Sequence, residues 1–348
     1  MSVNLGIIGY GGMAGWHHEH AQEVPGIKVT AAYDIDPERV ALAREKGLTG
    51  YGTLEEFLAD KSINVVLVAT PNDVHCELVC AALEAGKHVI CEKPVALSLD
   101  ELDKMIETAE RNGRLFSVHQ NRRWDTDFQI AKEIIQSGQL GNVYAIQSRL
   151  HGSGGAMHGW RGELKHGGGM LLDWGVHFID QALQICGYDD LVSVTCHTAK
   201  VKTEEVEDYF NLIFDRKSGG YYQIEIGTFV LKELPRWMLL GDEGIAYIKD
   251  FSRSGAVVTL NSTIEDEPVI VQTAAGPTRT FAPRPVEVKV EHELPDPQGK
   301  WTEYYKNIAE TVEGKAELIV KPWQVRKTMA AIFAAFESAR TGQQVSLV

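Results

Sequence analysis

What the chain lacks narrows its function before any motif is considered. Its five cysteines (Cys76, Cys80, Cys91, Cys186 and Cys196) are odd in number and show no CxxC spacing, which speaks against a disulfide framework or a zinc ribbon. They read as reduced, mostly buried thiols. No apolar run approaches the roughly 20 residues of a membrane span. The opening MSVNLGIIGYGG has no basic segment and glycines break its apolar run, so no signal peptide is expected and the cytoplasm is the expected compartment. Positive charge is scarce: 34 Lys+Arg stand against 48 Asp+Glu, a net charge of -14. Such a surface repels phosphate backbones and anionic lipid, so neither nucleic acid nor a membrane is expected as a partner. Internal repeats and low-complexity tracts are absent as well.

What is present is an ordinary globular composition, 44% hydrophobic and 24% charged, in 348 residues. That length is large for one core and predicts two domains. In the first third, LGIIG (5–9), KVTAAYD (28–34), NVVLVAT (64–70), HVICE (88–92) and LFSVH (115–119) are near-continuous apolar runs. They suit strands of a parallel sheet covered on both faces. Helix signals lie between them. Asp36-Pro37 reads as a cap with proline at the first helical position, Thr53/Glu56 and Ser98/Glu101 match capping boxes, and Gly47, Gly86 and Gly113 sit at stops. The alternation predicts an α/β chain with a doubly wound Rossmann sheet over 1–122. After residue 122 a helix is expected at 126–137. Period-two strands follow, such as 220–228 with Tyr222, Ile224 and Ile226 on one face, typical of an antiparallel sheet. SGG at 218–220 suits a hairpin, 276–285 with three prolines suits a surface loop, and 321–342 suits a long helix expected to pack back toward the first domain.

Directly after the first strand comes G-Y-G-G-M-A, residues 9–14. Gly9 permits a tight turn, Gly11 lets the backbone approach a pyrophosphate, and Ala14 allows close helix–strand packing. The amides at the helix start, Gly12 and Met13 among them, then face phosphate. A glycine turn with no ligand is the plainer alternative. Asp34, ending the second strand twenty residues later, argues for a dinucleotide. A carboxylate there accepts ribose hydroxyls of NAD and repels the 2′-phosphate of NADP. The nearby WHHEH carries His17, His18 and His20. It lacks the one-turn spacing of HExxH and reads as a partly exposed helix with one histidine toward the cofactor rather than as a metal site.

CEKP (91–94) follows the fourth strand, where Glu92 and Lys93 would border a ligand crevice. Lys93 could steady an alkoxide, or could simply be a solvated lysine. In GGGMLLDWGVHFID (167–180), Asp173 and His177 are four apart, one turn on a helix, and would share a face. They could be metal ligands, an acid–base pair or two helix polar groups, and no third ligand has clear spacing. For alcohol oxidation His177 would take the hydroxyl proton, with Asp173 orienting it or binding a neighbouring hydroxyl. Asp180 is an alternative partner. The glycines at 167–169 would let the chain pass close to cofactor or substrate. The polar stretch 149–169 holds eight glycines, His151, His158 and His166. Its Trp160 could stack on a sugar and its Arg161 could bind its oxygens; alternatively it is a subunit contact.

Taken together, GYGGMAGWH, ATPNDVHCELVCAALEAGKHVICEKPVALS (69–98), NRRW (121–124), GGGMLLDWGVHFID, GDEGIAYI (241–248) and ARTGQQV resemble the Gfo/Idh/MocA dehydrogenases over nearly the whole chain. The resemblance implies that Lys93 is the catalytic lysine of EKP, followed by an often cis Pro94, and that Asp173 and His177 form the DxGxH acid–base pair, His177 as base. It places Thr70, Pro71, Asn72, His75 and Glu92 on the nicotinamide side and Arg123 near the active site. It implies NAD as cofactor and no metal. It also implies a second domain, 123–348, that is α+β with an open, mainly antiparallel sheet and joins two or four copies. The activity implied is oxidation of a secondary hydroxyl of a sugar, polyol, inositol or glycoside. Two alternatives remain: a glycosidase that keeps NAD bound and oxidises its substrate transiently, and a non-catalytic dinucleotide sensor.

Overall fold

The apolar runs of the first third pair into one sheet because each is buried on both faces. In the computed structural model, which describes residues 3–155, 157–261, 270–278 and 286–347, they form β1 (Val3–Ile8), β2 (Ile27–Tyr33), β4 (Val65–Val68), β5 (His88–Cys91) and β6 (Phe116–Val118), joined at one edge by a short, unexpected β3 (Thr49–Tyr51). The order is β3-β2-β1-β4-β5-β6, all parallel. The helices α1 (Gly12–Ala21), α2 (Pro37–Glu45), α3 (Leu54–Ala59), α4 (His75–Glu84) and α5 (Leu99–Arg111) cross between them. Strand order reverses between β1 and β4, and a crevice opens there at the carboxyl ends of the strands. Asp36 caps α2 by accepting from Glu38 N at 2.9 Å, and the Thr53 hydroxyl accepts from Glu56 N at 3.2 Å to cap α3. Ser98 accepts from Glu101 N, but Glu101 reaches back to the amide of Leu97 rather than that of Ser98, so the expected box is one residue wider.

The rest of the chain gives α6 (Thr126–Ser137), β7 (Val143–His151), α7 (Val176–Cys186), β8 (Leu191–Ala199), β9 (Tyr209–Arg216), β10 (Tyr221–Gly227), β11 (Trp237–Gly241), β12 (Gly244–Ile248) and β13 (Gly255–Leu260). A small hairpin, β14 (Val271–Thr273) with β15 (Gly276–Thr278), precedes β16 (Lys289–His292), α8 (Thr302–Val312), α9 (Pro322–Thr341) and β17 (Val345–Ser346). Nine of these strands make an open sheet ordered β16-β13-β12-β11-β7-β10-β9-β8-β17. It is antiparallel except where β7 and β10 run together. Residues 218–220 do turn the β9–β10 hairpin, and Tyr222, Ile224 and Ile226 point into the core. The loop expected at 276–285 begins as β15; its remainder, 279–285, lies outside the described residues.

The last helix, α9, joins the two sheets. The Ser117 hydroxyl of β6 donates to Val320 O at 3.1 Å, just before α9, and Arg326 of α9 pairs with Asp103 of α5. Farther along α9, Ser338 accepts from Cys196 N of β8 at 2.9 Å. Among the described residues no helix is long and apolar enough to cross a membrane.

Candidate functional site

The crevice begins at the glycine turn. Gly9 has φ +86, and a Cβ there would lie 2.8 Å from Ala69 O, so only glycine fits. Gly12 faces open space: a Cβ built on it meets nothing within 4 Å. No side chain caps α1, so its first amides are left to a ligand. Asp34, mostly buried, accepts from Tyr10 N at 2.6 Å through Oδ2 and from Asp36 N at 2.9 Å through Oδ1. Arg39 Nη1 also stands 3.6 Å from Oδ2, and a carboxylate has about four acceptor positions, so room remains for a ribose hydroxyl. Beside it a cavity of 590 Å³ is bordered by Tyr10, Gly11, Gly12, Trp16, Arg39 and Lys46. These groups fit a dinucleotide: bare amides for phosphate, a fixed acceptor for ribose, and room for the base.

A second cleft, 260 Å³, lies at the ends of β5 and β6. Lys93, on a cis Lys93–Pro94 bond, donates from Nζ to Asp173 Oδ1 at 2.9 Å and to Asp173 O at 3.0 Å. Arg161 Nε is 3.4 Å from the same Oδ1. Burial alone would raise the Asp173 pKa, but Lys93 and Arg161 hold it below the usual range. His177 lines the same cleft. Burial, with the charges of Lys93 and Arg122, pushes its pKa well down, and its Nδ1 is sealed without a partner. It is a neutral imidazole at neutral pH. Asp173 and His177 are not simply one α-turn apart: Leu171–Gly175 winds as a π-helical turn into α7, a feature that recurs at functional sites. Asp173 is committed to Lys93 and Arg161 rather than to the histidine.

Several sequence expectations need correcting. Asp180 is not the partner of His177, because it takes both forks of Arg123 at 2.7 and 2.6 Å. Arg123 is therefore locked in the protein interior, and its neighbour Arg122 is the arginine that faces the cleft, stacked 4.2 Å from the Trp174 ring centroid. The glycines at 167–169 make room for the protein itself: a Cβ on Gly168 would sit 2.3 Å from Arg161 O, and one on Gly169 2.4 Å from Glu207. Arg161 borders the cleft, whereas Trp160 sits outside its wall, half-buried beneath the Arg161 guanidinium at 4.6 Å. Thr70 and Pro71 continue the β4 end into α4. Asn72 donates to the carbonyls of His166 and Gly167, and the His75 ring sits between Thr70 O and Pro94 O. These contacts brace the loops that carry Lys93.

Helix α1 is partly exposed, as expected, but His17 and His18 are buried within it, and half-buried His20 stacks on Trp16. His17 Nε2 and His119 Nδ1 both meet Glu92 Oε1, at 2.7 and 2.8 Å. Burial would raise the Glu92 pKa, yet the two imidazoles hold it well below the carboxylate range. His119, Asn121 and Arg122 are cleft residues that sequence reasoning missed. The signal existed: they follow the strand LFSVH, and ligands collect at such strand ends.

Residues 3–120 match the oxidoreductase family described as having an NAD-binding Rossmann fold, and residues 128–247 match the Gfo/Idh/MocA C-terminal domain. The chain belongs to the Gfo/Idh/MocA family. It is an NAD-dependent oxidoreductase. A solved NAD-binding protein from Listeria innocua is 38% identical, covering 99% of this chain and 100% of that one, with a TM-score of 0.94. The scyllo-inositol 2-dehydrogenase (NADP(+)) of Bacillus subtilis is 29% identical over 99% of this chain and 96% of its own length. An uncharacterized oxidoreductase of Schizosaccharomyces pombe is 40% identical, but over 49% of this chain and 47% of that protein, about half of each.

Proposed function

We propose that this oxidoreductase oxidises a secondary hydroxyl of a sugar, polyol, inositol or glycoside. The observation that carries the reading is the convergence of Lys93, Asp173 and His177 in one cleft beside a bare-amide phosphate turn. Gly9, Gly11, Gly12, Met13, Ala14 and Asp34 would hold NAD, which when bound supplies the hydride acceptor. The Lys93 ammonium, aimed by Asp173, faces the substrate oxygen and stabilises the charge that grows on it. His177 is neutral and so has a lone pair with which to take the hydroxyl proton. Arg161 and Arg122 bring further donors for neighbouring hydroxyls, which favours a polyhydroxylated substrate.

The half-buried polar face of the nine-stranded sheet is the proposed meeting surface of two or four copies. There Tyr209 donates to Glu225 at 2.9 Å and the Gln147 amide donates to the Tyr221 oxygen at 2.9 Å.

The test is a spectrophotometric screen for NADH formation across inositols, aldoses and glycosides, followed by Lys93→Ala. Turnover should vanish while NAD affinity is largely kept. Near-normal activity of the variant would sink the mechanism, and sugar release without net NADH would favour the glycosidase.

A further inference from the structure

Three separate elements bring His17 (α1), Glu92 (after β5) and His119 (after β6) to one buried point. Glu92 Oε1 takes both imidazoles, and Oε2 accepts the Lys93 backbone N–H at 3.1 Å. An ionised carboxylate only accepts, so each ring must present an N–H to it. His17 therefore carries its proton on Nε2, and its Nδ1 accepts from the Tyr305 hydroxyl. His119 carries its proton on Nδ1, which leaves a lone pair on Nε2. Among the described residues that nitrogen has no hydrogen-bond partner. Unlike His177 Nδ1 it is not sealed from open space, and its ring lines the cleft of Lys93, Asp173 and His177.

We propose that His119, backed by Glu92, is a second acid–base group of the cleft, which receives the hydroxyl proton from His177 and passes it to solvent. This rests on the dehydrogenase reading above. NAD, when bound, would accept the hydrogen and electron pair of the substrate C–H bond, and the O–H bond would yield its proton to His177. The proton then crosses cleft water to His119 Nε2 and leaves to bulk, with Glu92 ionised throughout. His177 is a poor resting place for it: the ring is buried and faces the cations Lys93 and Arg122. Around His119 the groups are Glu92 from β5, Trp16 and His17 from α1, and Tyr304 and Tyr305 from α8. Across the cleft stand Lys93, Arg122, Asp173 and His177. Among the described residues, Glu92 alone touches a ring nitrogen of His119.

The same donors form a two-histidine, one-carboxylate set within 4.8 Å of one another. Their N···O separations of 2.7 and 2.8 Å are hydrogen-bond lengths. Ligands of one tetrahedral ion, each about 2.0–2.1 Å from it, stand roughly 3.3 Å apart.

The test is histidine ring NMR on the ¹⁵N-labelled full chain without cofactor, with His119→Gln used for assignment. We expect the ring nitrogens of His119 to report its proton on Nδ1, and a shift toward the Nε2–H form in Glu92→Gln. A proton on Nε2 in the wild type, a tautomer unmoved in Glu92→Gln or a stoichiometric bound metal overturns the proposal. In turnover, His119→Gln should lower kcat about 10- to 100-fold and flatten the acidic limb of the pH profile. Its NAD Kd, read by tryptophan fluorescence, should stay within about threefold. An unchanged profile with weakened NAD binding makes His119 a cofactor ligand and overturns the proposal. If no polyol yields NADH, the dehydrogenase reading fails, and the NMR result separately reports whether Glu92 holds His119.

Discussion

Arg123 offers a sharp test, because its position argues for stability where its sequence context argued for substrate. Its Nε and Nη2 donate to the two oxygens of Asp180 at 2.7 and 2.6 Å, and Nη1 donates to Ile319 O at 3.2 Å and Gln324 Oε1 at 3.0 Å. The side chains are 6% and 2% exposed, so water cannot replace either partner. Arg123→Met keeps the aliphatic stem and removes all four bonds. Among the described residues Asp180 would then retain a single long contact, from the Thr328 hydroxyl at 3.5 Å. Removing one partner of a buried ion pair costs about 3–5 kcal/mol, because the survivor is left charged and dry. The four lost bonds put this case toward the upper end. Replacing both, as Arg123→Met with Asp180→Leu, should recover most of the loss, since a well-packed apolar pair is often neutral relative to a buried ion pair. The assay is urea unfolding followed by tryptophan fluorescence, with NADH formation measured on the folded fraction. A single variant with wild-type stability and a greatly raised KM would refute the reasoning and return Arg123 to the substrate.

The glycine turn separates strain from ligand contact: Gly9→Ala should cost about 1–3 kcal/mol because φ +86 and Ala69 O oppose a Cβ. Gly12→Ala should leave thermal stability unchanged yet weaken NAD in a fluorescence titration, and equal NAD affinity would show that the open space is not the cofactor's. Asp34 predicts a preference for NAD over NADP in kcat/KM that collapses in Asp34→Ala; equal use of both by the wild type would contradict the ribose argument. His17, His75 and His177 have pKa values lowered chiefly by burial. Below about pH 6.5 the unfolded chain binds protons that the folded chain refuses, so stability should fall with pH by up to about 1.4 kcal/mol per unit per histidine. Urea midpoints at pH 7.5 and 5.5 would show it, and a flat or rising response on acidification would contradict it.

Local pattern revealed much of this fold, and its limits are physical. β1, β2 and β4 to β6 are visible because burial on both faces demands unbroken apolar runs. β3 escaped because a three-residue edge strand, TGY, carries no such demand. Period two exposed β10, but alternation says nothing about direction, so its parallel pairing with β7 was invisible. The site divides along the same line. Glycines after a strand, an aspartate at the next strand's end and a lysine after β5 are placed by the topology of the sheet, and sequence order is enough to find them. Which of Arg122 and Arg123 enters the cleft depends on the Asn121–Trp124 turn and on Asp180, 57 residues away. The Glu92 cluster is a stronger case. His17 and His119 each look like ordinary polar residues in their own segments, and they acquire a chemical meaning only when the parallel sheet brings the carboxyl ends of β1, β5 and β6 to the same side. A carboxylate that fixes the protons of two rings is a property of the sheet order, and so it becomes readable only once that order is known.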